Sequence, residues 1–142
     1  EGNHLCPICE KSGNCELQAM AYRLDMTAAS RFPYLEPCRD LDASHPDIAL
    51  DTNRCISCGR CIRASQDVDG KGVFGYVGRG IHRRVAVNGA DLAHTSAALA
   101  DHAISVCPVG CIIRKDEGFS TPIGERRFDH GLIGHEIEEK RK

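Results

Sequence analysis

The stretch CISCGRCIRAS, residues 55–65, decides most of what the sequence can tell about this protein. It places Cys55, Cys58 and Cys61 three residues apart, so that two residues separate each neighbouring pair. This spacing is typical of metal ligands rather than of a disulfide framework. Ser65 stands where a fourth cysteine would complete the run. The chain must therefore supply one more ligand from elsewhere in its sequence.

A cysteine followed by proline is the strongest candidate for the missing ligand. In two-cluster ferredoxins the last cysteine of each C-x2-C-x2-C-x3-C-P run binds the other cluster, so each 4Fe-4S cluster takes three local thiolates and one remote Cys-Pro. The dipeptide that begins at Cys107 matches this remote half. The sequence therefore predicts one 4Fe-4S cluster, whose ligands are Cys55, Cys58, Cys61 and Cys107.

Two other cysteines have no predicted ligand role. Cys111 lies four residues beyond Cys107 and is its rival, but no proline follows it, and we predict a free buried thiol. Cys38 stands between a proline and an arginine, with no cysteine or histidine nearby in the sequence. We interpret it as a spare thiol.

A second group of candidate ligands lies in HLCPICEKSGNC, near the start of the chain. Cys6, Cys9 and Cys15 supply three thiolates on one loop, and Gly13 permits the turn that brings the last one round. His4 is the nearest fourth donor, because a neutral imidazole nitrogen can bind iron; the alternative is a surface histidine. Three cysteines and one histidine also suit a structural zinc ion, so zinc stays open for this loop.

The composition restricts the classes of protein that fit. Among 142 residues there are nine cysteines but only four Phe, three Tyr and no Trp, so a thin core would need metal to supplement it. With 18 Lys+Arg against 20 Asp+Glu, no basic field favours nucleic acid. No stretch suits a membrane span or an export signal, and thiols in metal-ligand spacing favour a reduced, cytoplasmic location.

The chain divides into four predicted segments. The missing initiator Met, and candidate ligands that begin at the fourth residue, lead us to expect a later part of a longer polypeptide. The segments are 1–26, a ligand loop with a helix; 27–53, an extended wrapping connection; 54–114, a single-cluster ferredoxin-like domain; and 115–142, a charged C-terminal arm that is either solvated or laid over a partner.

Periodicity predicts the regular elements. Leu17, Ala21 and Leu24 fall on one face of a helix after the first ligand loop. Residues 73–77 and 85–87 form two short strands joined by a glycine-rich turn, and we interpret these glycines as turn residues rather than as a nucleotide loop. A further helix is predicted from a cap at Asp91 to Cys107, with an apolar stripe formed by Leu92, Leu99, Ala103 and Val106.

The motifs CPICEKSGNCELQ, RCISCGRC and CPVG occur in this order. Together they resemble the iron-sulfur region of the large peripheral-arm subunit of respiratory complex I. The chain is still more similar to the short iron-sulfur diaphorase subunit of NAD-reducing soluble nickel-iron hydrogenase, which the segments SRFPY and PIGERRFD favour. The resemblance covers nearly the whole chain.

This resemblance implies an irregular α+β fold, in which ferredoxin-like iron-sulfur domains surround two 4Fe-4S clusters. It also implies a 2Fe-2S cluster on an N-terminal domain that precedes these motifs. In the complex I pattern three residues separate the ligating histidine from the first cysteine, whereas only Leu5 separates them here. The implied ligands are His4, Cys6, Cys9 and Cys15 for one 4Fe-4S cluster, and Cys55, Cys58, Cys61 and Cys107 for the other.

The resemblance implies an electron relay with no active site of its own. Its partners would be nickel-iron hydrogenase subunits and a flavin- and NAD-binding diaphorase subunit. An alternative donor complex is an NADH dehydrogenase or an NAD-linked formate dehydrogenase, which the early end of this chain disfavours. A zinc-binding structural module is the alternative of another class.

Apolar and basic side chains beside the cysteines would tune such clusters. We expect three isoleucines to shield the sulfurs: Ile8, Ile56 and Ile62. Three arginines beside the second cluster would stabilise its reduced state, or else are solvated or paired with a partner: Arg54, Arg60 and Arg63.

Overall fold

A computed structural model of the chain describes residues 6–26, 31 and 39–140. Short helices and short antiparallel strands make up this part, which confirms the predicted irregular α+β class. The helices are α1 (Glu16–Arg23), α2 (Arg60–Arg63), α3 (His102–Ser105) and α4 (His135–Glu139), and the strands are β1 (Ile48–Leu50), β2 (Phe74–Val77), β3 (Arg84–Val87) and β4 (Ile112–Arg114). Within the described residues, no helix is long and apolar enough to cross a bilayer.

Two antiparallel strand pairs form the sheets. Strands β2 and β3 form the predicted hairpin, in which Tyr76 faces Val85. Gly78 and Gly80 between them have positive φ angles of 76° and 54°, which confirms their turn role because such angles are readily adopted only by glycine. Strands β1 and β4 pair although they lie far apart in the sequence, with Leu50 opposite Ile112. This second pair was not predicted, and β1 lies inside the segment we expected to be a wrapping connection.

The core lies around these strands and includes cysteine side chains. Its buried apolar residues include Ile48, Val73 and Leu92, each at most 1% exposed. Cys61, Cys107 and Cys111 belong to the same cluster. Two of the predicted ligands are therefore set inside the core rather than on its surface.

Ser65 has a structural role at the position where a cysteine would extend the ligand run. It lies in a π-helical turn, Ala64–Val68, that continues α2, and only 1% of its surface is exposed. Its Oγ accepts a hydrogen bond of 2.8 Å from the backbone N–H of Val73. The hydroxyl thus satisfies a buried backbone N–H group.

We expect Ser65→Ala to lower the free energy of unfolding by about 1–3 kcal/mol, because the buried N–H of Val73 loses its acceptor. Urea unfolding followed by circular dichroism measures this loss. Ser120→Ala is the matched control, since that serine is exposed. Equal stability of the two variants would contradict the role given to Ser65.

The predicted helix between Asp91 and Cys107 is wrong as one continuous element. Asp91 does cap a short turn, because its carboxylate accepts the N–H of His94. Beyond it, Thr95 Oγ1 accepts the N–H of Ala97 and the Asp101 carboxylate accepts the N–H of Ala98. These local bonds compete with helix formation, so only the four residues of α3 are helical before Cys107.

Helix α1 forms as predicted, but the predicted face is not its buried one. Leu17 and Leu24 are 47% and 67% exposed, whereas Ala19 is only 5% exposed. The short side chain of Ala19 lets the helix approach the rest of the chain closely. The leucines are left on the outside of this described part of the protein.

The C-terminal arm is hydrogen-bonded to the first ligand loop of its own chain, although most of its described residues are exposed. The backbone N–H of Phe128 donates to the Gly13 carbonyl over 3.1 Å, and the N–H of Arg127 donates to Asn14 Oδ1 over 2.8 Å. Arg126 and Asp129 form an ion pair of 2.8 Å at the same place. The arm therefore covers one side of the loop.

Candidate metal centre

Five cysteines line one cleft between the second ligand loop and the segment before β4. The predicted ligands Cys55, Cys58, Cys61 and Cys107 all border it, although 45 residues separate Cys61 from Cys107. Cys111, expected to be a free buried thiol, is buried at 3% exposure and borders the same cleft. The remaining lining is apolar or backbone, from Ile56, Gly59, Val85, Pro108, Val109 and Ile112.

The loop that carries Cys55 and Cys58 is held by special backbone angles and by the hairpin. Ser57 and Gly59 both have positive φ angles, of 54° and 72°. The Tyr76 hydroxyl of β2 donates to the Ser57 carbonyl over 2.7 Å, while the Ser57 N–H donates to Cys55 Sγ over 3.3 Å. The hairpin thus fixes a loop in which a backbone N–H group points toward a ligand sulfur.

The sulfur atoms in the cleft are close enough to change one another's ionisation. A hydrogen bond from the Cys111 thiol lowers the pKa of both Cys55 and Cys107 to about 6, and the same bonds raise the pKa of Cys111. Burial and the neighbouring sulfurs raise the pKa of Cys61 to about 12. Because metal ligation requires thiolates, loading this cleft with metal releases protons.

The donor set fits an iron-sulfur cluster. Thiolates are the ligands of 4Fe-4S clusters, and none of the described residues that line the cleft carries a carboxylate or an imidazole. Its apolar wall would limit access of water, which is one of the properties that set a cluster's potential. Among the described residues, no three His, Cys, Asp or Glu side chains converge closely enough to hold a single metal ion.

The first ligand loop brings its three cysteines together at the start of α1. A short turn runs from Cys6 to Ile8, and Gly13 has a φ of +79°, which confirms the predicted turn. Burial raises the pKa of Cys15, and the sulfurs of Cys9 and Cys6 raise it further. Three of the four predicted donors of this site therefore lie within electrostatic reach of one another.

Two residues discussed in the sequence fall outside the described residues. His4, the predicted fourth donor of the first loop, is one of them, and Cys38 is the other. The ligand role of His4 therefore stays a prediction, as does the interpretation of Cys38 as a spare thiol.

The two cysteine groups adjoin directly. The N–H of Glu16, next to Cys15, donates to the carbonyl of Pro108 over 2.9 Å. A Cβ added at Gly110 would collide with Cys9 Sγ, so the backbone beside the second group touches a sulfur of the first. Spacing along the sequence could not show this contact, because it joins segments about a hundred residues apart.

The three arginines are paired within the chain. Arg54 contacts the first ligand loop rather than the second cleft alone: its Nη1 lies 3.5 Å from Cys9 Sγ. Arg60 forms an ion pair of 2.9 Å with Glu16. Arg63 donates to the Cys58 carbonyl over 3.4 Å. All three arginines therefore have contacts within the chain, and their effect on a cluster's reduced state stays a prediction.

The three isoleucines differ in their surroundings. Ile62 packs against the core, and Ile56 borders the cleft while remaining 40% exposed. Ile8 is 65% exposed, so the prediction that it shields sulfur within this chain is wrong. The turn at Cys6–Ile8 directs that side chain away from the packed part of the loop.

Comparison with known protein families gives two matches that follow the two cysteine groups. The ferredoxin-like domain of NADH-quinone oxidoreductase subunit 3 matches residues 45–113. The NADH-ubiquinone oxidoreductase-G iron-sulfur binding region matches residues 1–29. The chain is similar to these iron-sulfur regions over most of its length. Each matched range contains one complete group of predicted ligands, so the similarity extends across both ligand loops.

Hydrogenase subunits are also similar to the chain. The gamma subunit of the NAD-reducing hydrogenase HoxS of Cupriavidus necator is 42% identical over 131 residues, which are 91% of this chain and 55% of that subunit. A chain in the crystal structure of an NAD+-reducing NiFe-hydrogenase in the H2-reduced state matches with a TM-score of 0.85 and 52% identity, over 91% of this chain and 55% of that one.

Complex I-type subunits are less similar. The 75 kDa subunit of NADH-ubiquinone oxidoreductase from Acanthamoeba castellanii is 31% identical over 116 residues, or 82% of this chain and 17% of that subunit. The chain thus spans about half the length of the hydrogenase subunits it matches and a small part of the complex I subunit. The predicted resemblance to both groups, and the closer one to the hydrogenase subunit, is confirmed.

Proposed function

We propose that this chain is an electron-relay segment that holds two 4Fe-4S clusters. One is bound by His4, Cys6, Cys9 and Cys15 and the other by Cys55, Cys58, Cys61 and Cys107. The observation that carries the proposal is the meeting of these cysteines in two adjoining groups, joined by the hydrogen bond from Glu16 N–H to the Pro108 carbonyl. When bound, each cluster supplies a carrier for one electron at a time.

The residues of the chain bring the two ligand groups close together and bury part of their sulfurs. Gly110 has no side chain, and this lets Cys9 lie directly against the backbone of the other ligand group. Val85 and Ile112 cover the cleft from the strands. Cys107 and Cys61 are 7% and 9% exposed, so solvent is largely excluded from the sulfurs that would face each other across the cleft.

The similarity to hydrogenase subunits supports a place between a nickel-iron hydrogenase subunit and a flavin- and NAD-binding diaphorase subunit. In that position electrons from hydrogen would pass through this segment and reach NAD+ as a pair. We further propose a 2Fe-2S cluster on a preceding domain, a cytoplasmic location, and a division into segments 1–26, 27–53, 54–114 and 115–142. We propose no catalytic residue in this chain.

A relay segment of an NADH dehydrogenase is the second candidate, because complex I-type subunits match both ligand regions. Redox partners distinguish the two. In the hydrogenase case, hydrogen added to the purified complex should reduce the iron-sulfur clusters, and their EPR signals should change accordingly. In the NADH dehydrogenase case, only NADH should do so.

We expect residues 1–142 to hold about eight iron atoms and about eight sulfides, apart from any cluster on a preceding domain, with no stoichiometric zinc. Two thiolate-rich ligand groups have this capacity, and thiolates bind both metals, so the sulfide content decides between the alternatives. Elemental analysis with an acid-labile sulfide assay makes the measurement. Zinc without sulfide would show a structural module instead of a relay.

His4→Cys tests the remaining ligand of the first group. A thiolate in place of imidazole adds negative charge to the site, so we expect the potential of that cluster to fall and its low-temperature EPR signal to change. His82→Cys is the matched control, because that histidine is exposed in the turn between β2 and β3. An unchanged spectrum in His4→Cys would remove His4 from the ligand set.

A further inference from the structure

Arg54 immediately precedes the predicted ligand Cys55 in the chain, yet its side chain reaches the other ligand group. Its Nη1 lies 3.5 Å from Cys9 Sγ. On the way it passes Gly110, where a Cβ would lie 3.4 Å from Arg54 Cδ. Its side chain is only 14% exposed. The guanidinium is therefore a largely buried positive charge between the two groups of sulfurs.

Two carboxylates lie within ion-pair distance of this guanidinium, although only Glu10 accepts a hydrogen bond from it. Asp51 Oδ2 lies 3.0 Å from Arg54 Nε, and Glu10 Oε2 lies 3.3 Å from Nη1. Asp51 is itself buried and fixed, because its carboxylate accepts the backbone N–H of Asn53. Glu10 is one residue from Cys9. The arginine is thus oriented from both sides, so that one N–H edge faces the sulfur.

We propose that Arg54 is a positioning and tuning residue for the first cluster, which it makes easier to reduce, while Glu10 opposes it. The proposal rests on the proposed function, since it needs a cluster on Cys9. One-electron reduction adds one negative charge to the thiolate-ligated site and moves no proton. A hydrogen bond and a buried positive charge at a ligand sulfur stabilise that added charge.

The sequence alone assigned Arg54 to the second cluster, beside Cys55. In the structure its donor group faces Cys9 instead, so the potential of the first cluster, rather than of the second, should respond. The backbone of Arg54 belongs to one ligand group and its side chain contacts the other. Arg54 would therefore also hold the two groups at a fixed distance. The measured potentials separate this electrical role from a merely structural one.

The test is an EPR-monitored dithionite titration of the full-length protein with both clusters in place. Arg54→Gln is expected to lower the potential of the first cluster by about 59 mV, the equivalent of a tenfold change in the reduction equilibrium of a one-electron couple. The second cluster should shift less. Repeating the titration in a Cys58→Ala background alters the EPR signal of the second cluster. This shows which signal belongs to which cluster.

Glu10→Gln should shift the same cluster in the opposite direction, because it removes a negative charge and leaves Arg54 in place. Arg84→Gln is the charge-matched control: that arginine is exposed on β3, and neither potential should move. Opposite shifts cannot come from simple loosening of the loop. If the Arg54→Gln protein does not retain the first cluster, the potential of that cluster in the Glu10→Gln protein alone decides the test.

Two results would overturn the inference. Both clusters present with an unmoved first potential in Arg54→Gln and Glu10→Gln would exclude Arg54 as a tuning residue while leaving the relay intact. Wild-type protein without iron and sulfide would instead remove the proposed function, and the role of Arg54 with it.

Discussion

Replacing Cys107 by alanine is expected to lower the iron content from about eight to about four atoms per chain, with loss of one EPR signal. Cys107 is the one predicted ligand of the second cluster that lies outside the 55–61 run, and it is 7% exposed in the core. Its removal leaves three local thiolates and an unfilled corner. Iron and sulfide assays on the purified variant give the result.

Cys111→Ala is the matched comparison, because it removes a thiol from the same cleft. The Cys111 thiol lies within hydrogen-bonding reach of the sulfurs of Cys55 and Cys107, and iron bound to those sulfurs would replace this interaction. We therefore expect this variant to keep about eight iron atoms. If Cys107→Ala kept its full iron content and Cys111→Ala lost half of it, Cys111 would be the fourth ligand of the second cluster instead.

Gly110→Ala is expected to disrupt the contact between the two ligand groups and to release the first cluster. The new Cβ would collide with Cys9 Sγ and would lie 3.4 Å from Arg54 Cδ. Overpacking of this kind typically costs about 1–3 kcal/mol in stability. Here the strain falls directly on a ligand sulfur, so we expect about four iron atoms per chain and a lower urea midpoint.

Gly75→Ala is the control for the glycine substitution. Gly75 lies in β2, where an added Cβ would meet nothing within 4 Å and φ is not in the left-handed region. This variant should keep both clusters and its stability. If Gly110→Ala also kept full iron and an unchanged midpoint, Cys9 would not be seated against this backbone and the direct contact between the groups would be wrong.

Local features of the chain were predictable because they depend on neighbouring residues. The hairpin of β2 and β3 follows from alternating apolar residues around glycines with positive φ, and the turn at Gly13 follows from the same freedom. The prediction of a continuous helix after Asp91 was wrong, although the cause is also local. Apolar spacing suited a helix, but Thr95 and Asp101 bond the nearby backbone and end it.

The faces of elements were harder to predict than the elements themselves. Leu17 and Leu24 form an apolar stripe on α1, yet the helix packs through Ala19. Apolar character shows which residues can be buried but not which neighbours arrive to bury them. The pairing of β1 with β4 was missed similarly, since its two strands are three residues each and lie far apart in the chain.

The sequence by itself determined the chemistry: which thiols form two groups, that each group needs one more donor, and that Cys107 is a candidate for one of them. Spacing within a few residues is enough for that, because a loop of fixed length limits which sulfurs can meet. Only the tertiary structure decided that the groups touch through Gly110, that Arg54 turns toward Cys9, and that Cys111 shares the second cleft. Those contacts join residues brought together by burial of the core, and no local rule specifies them.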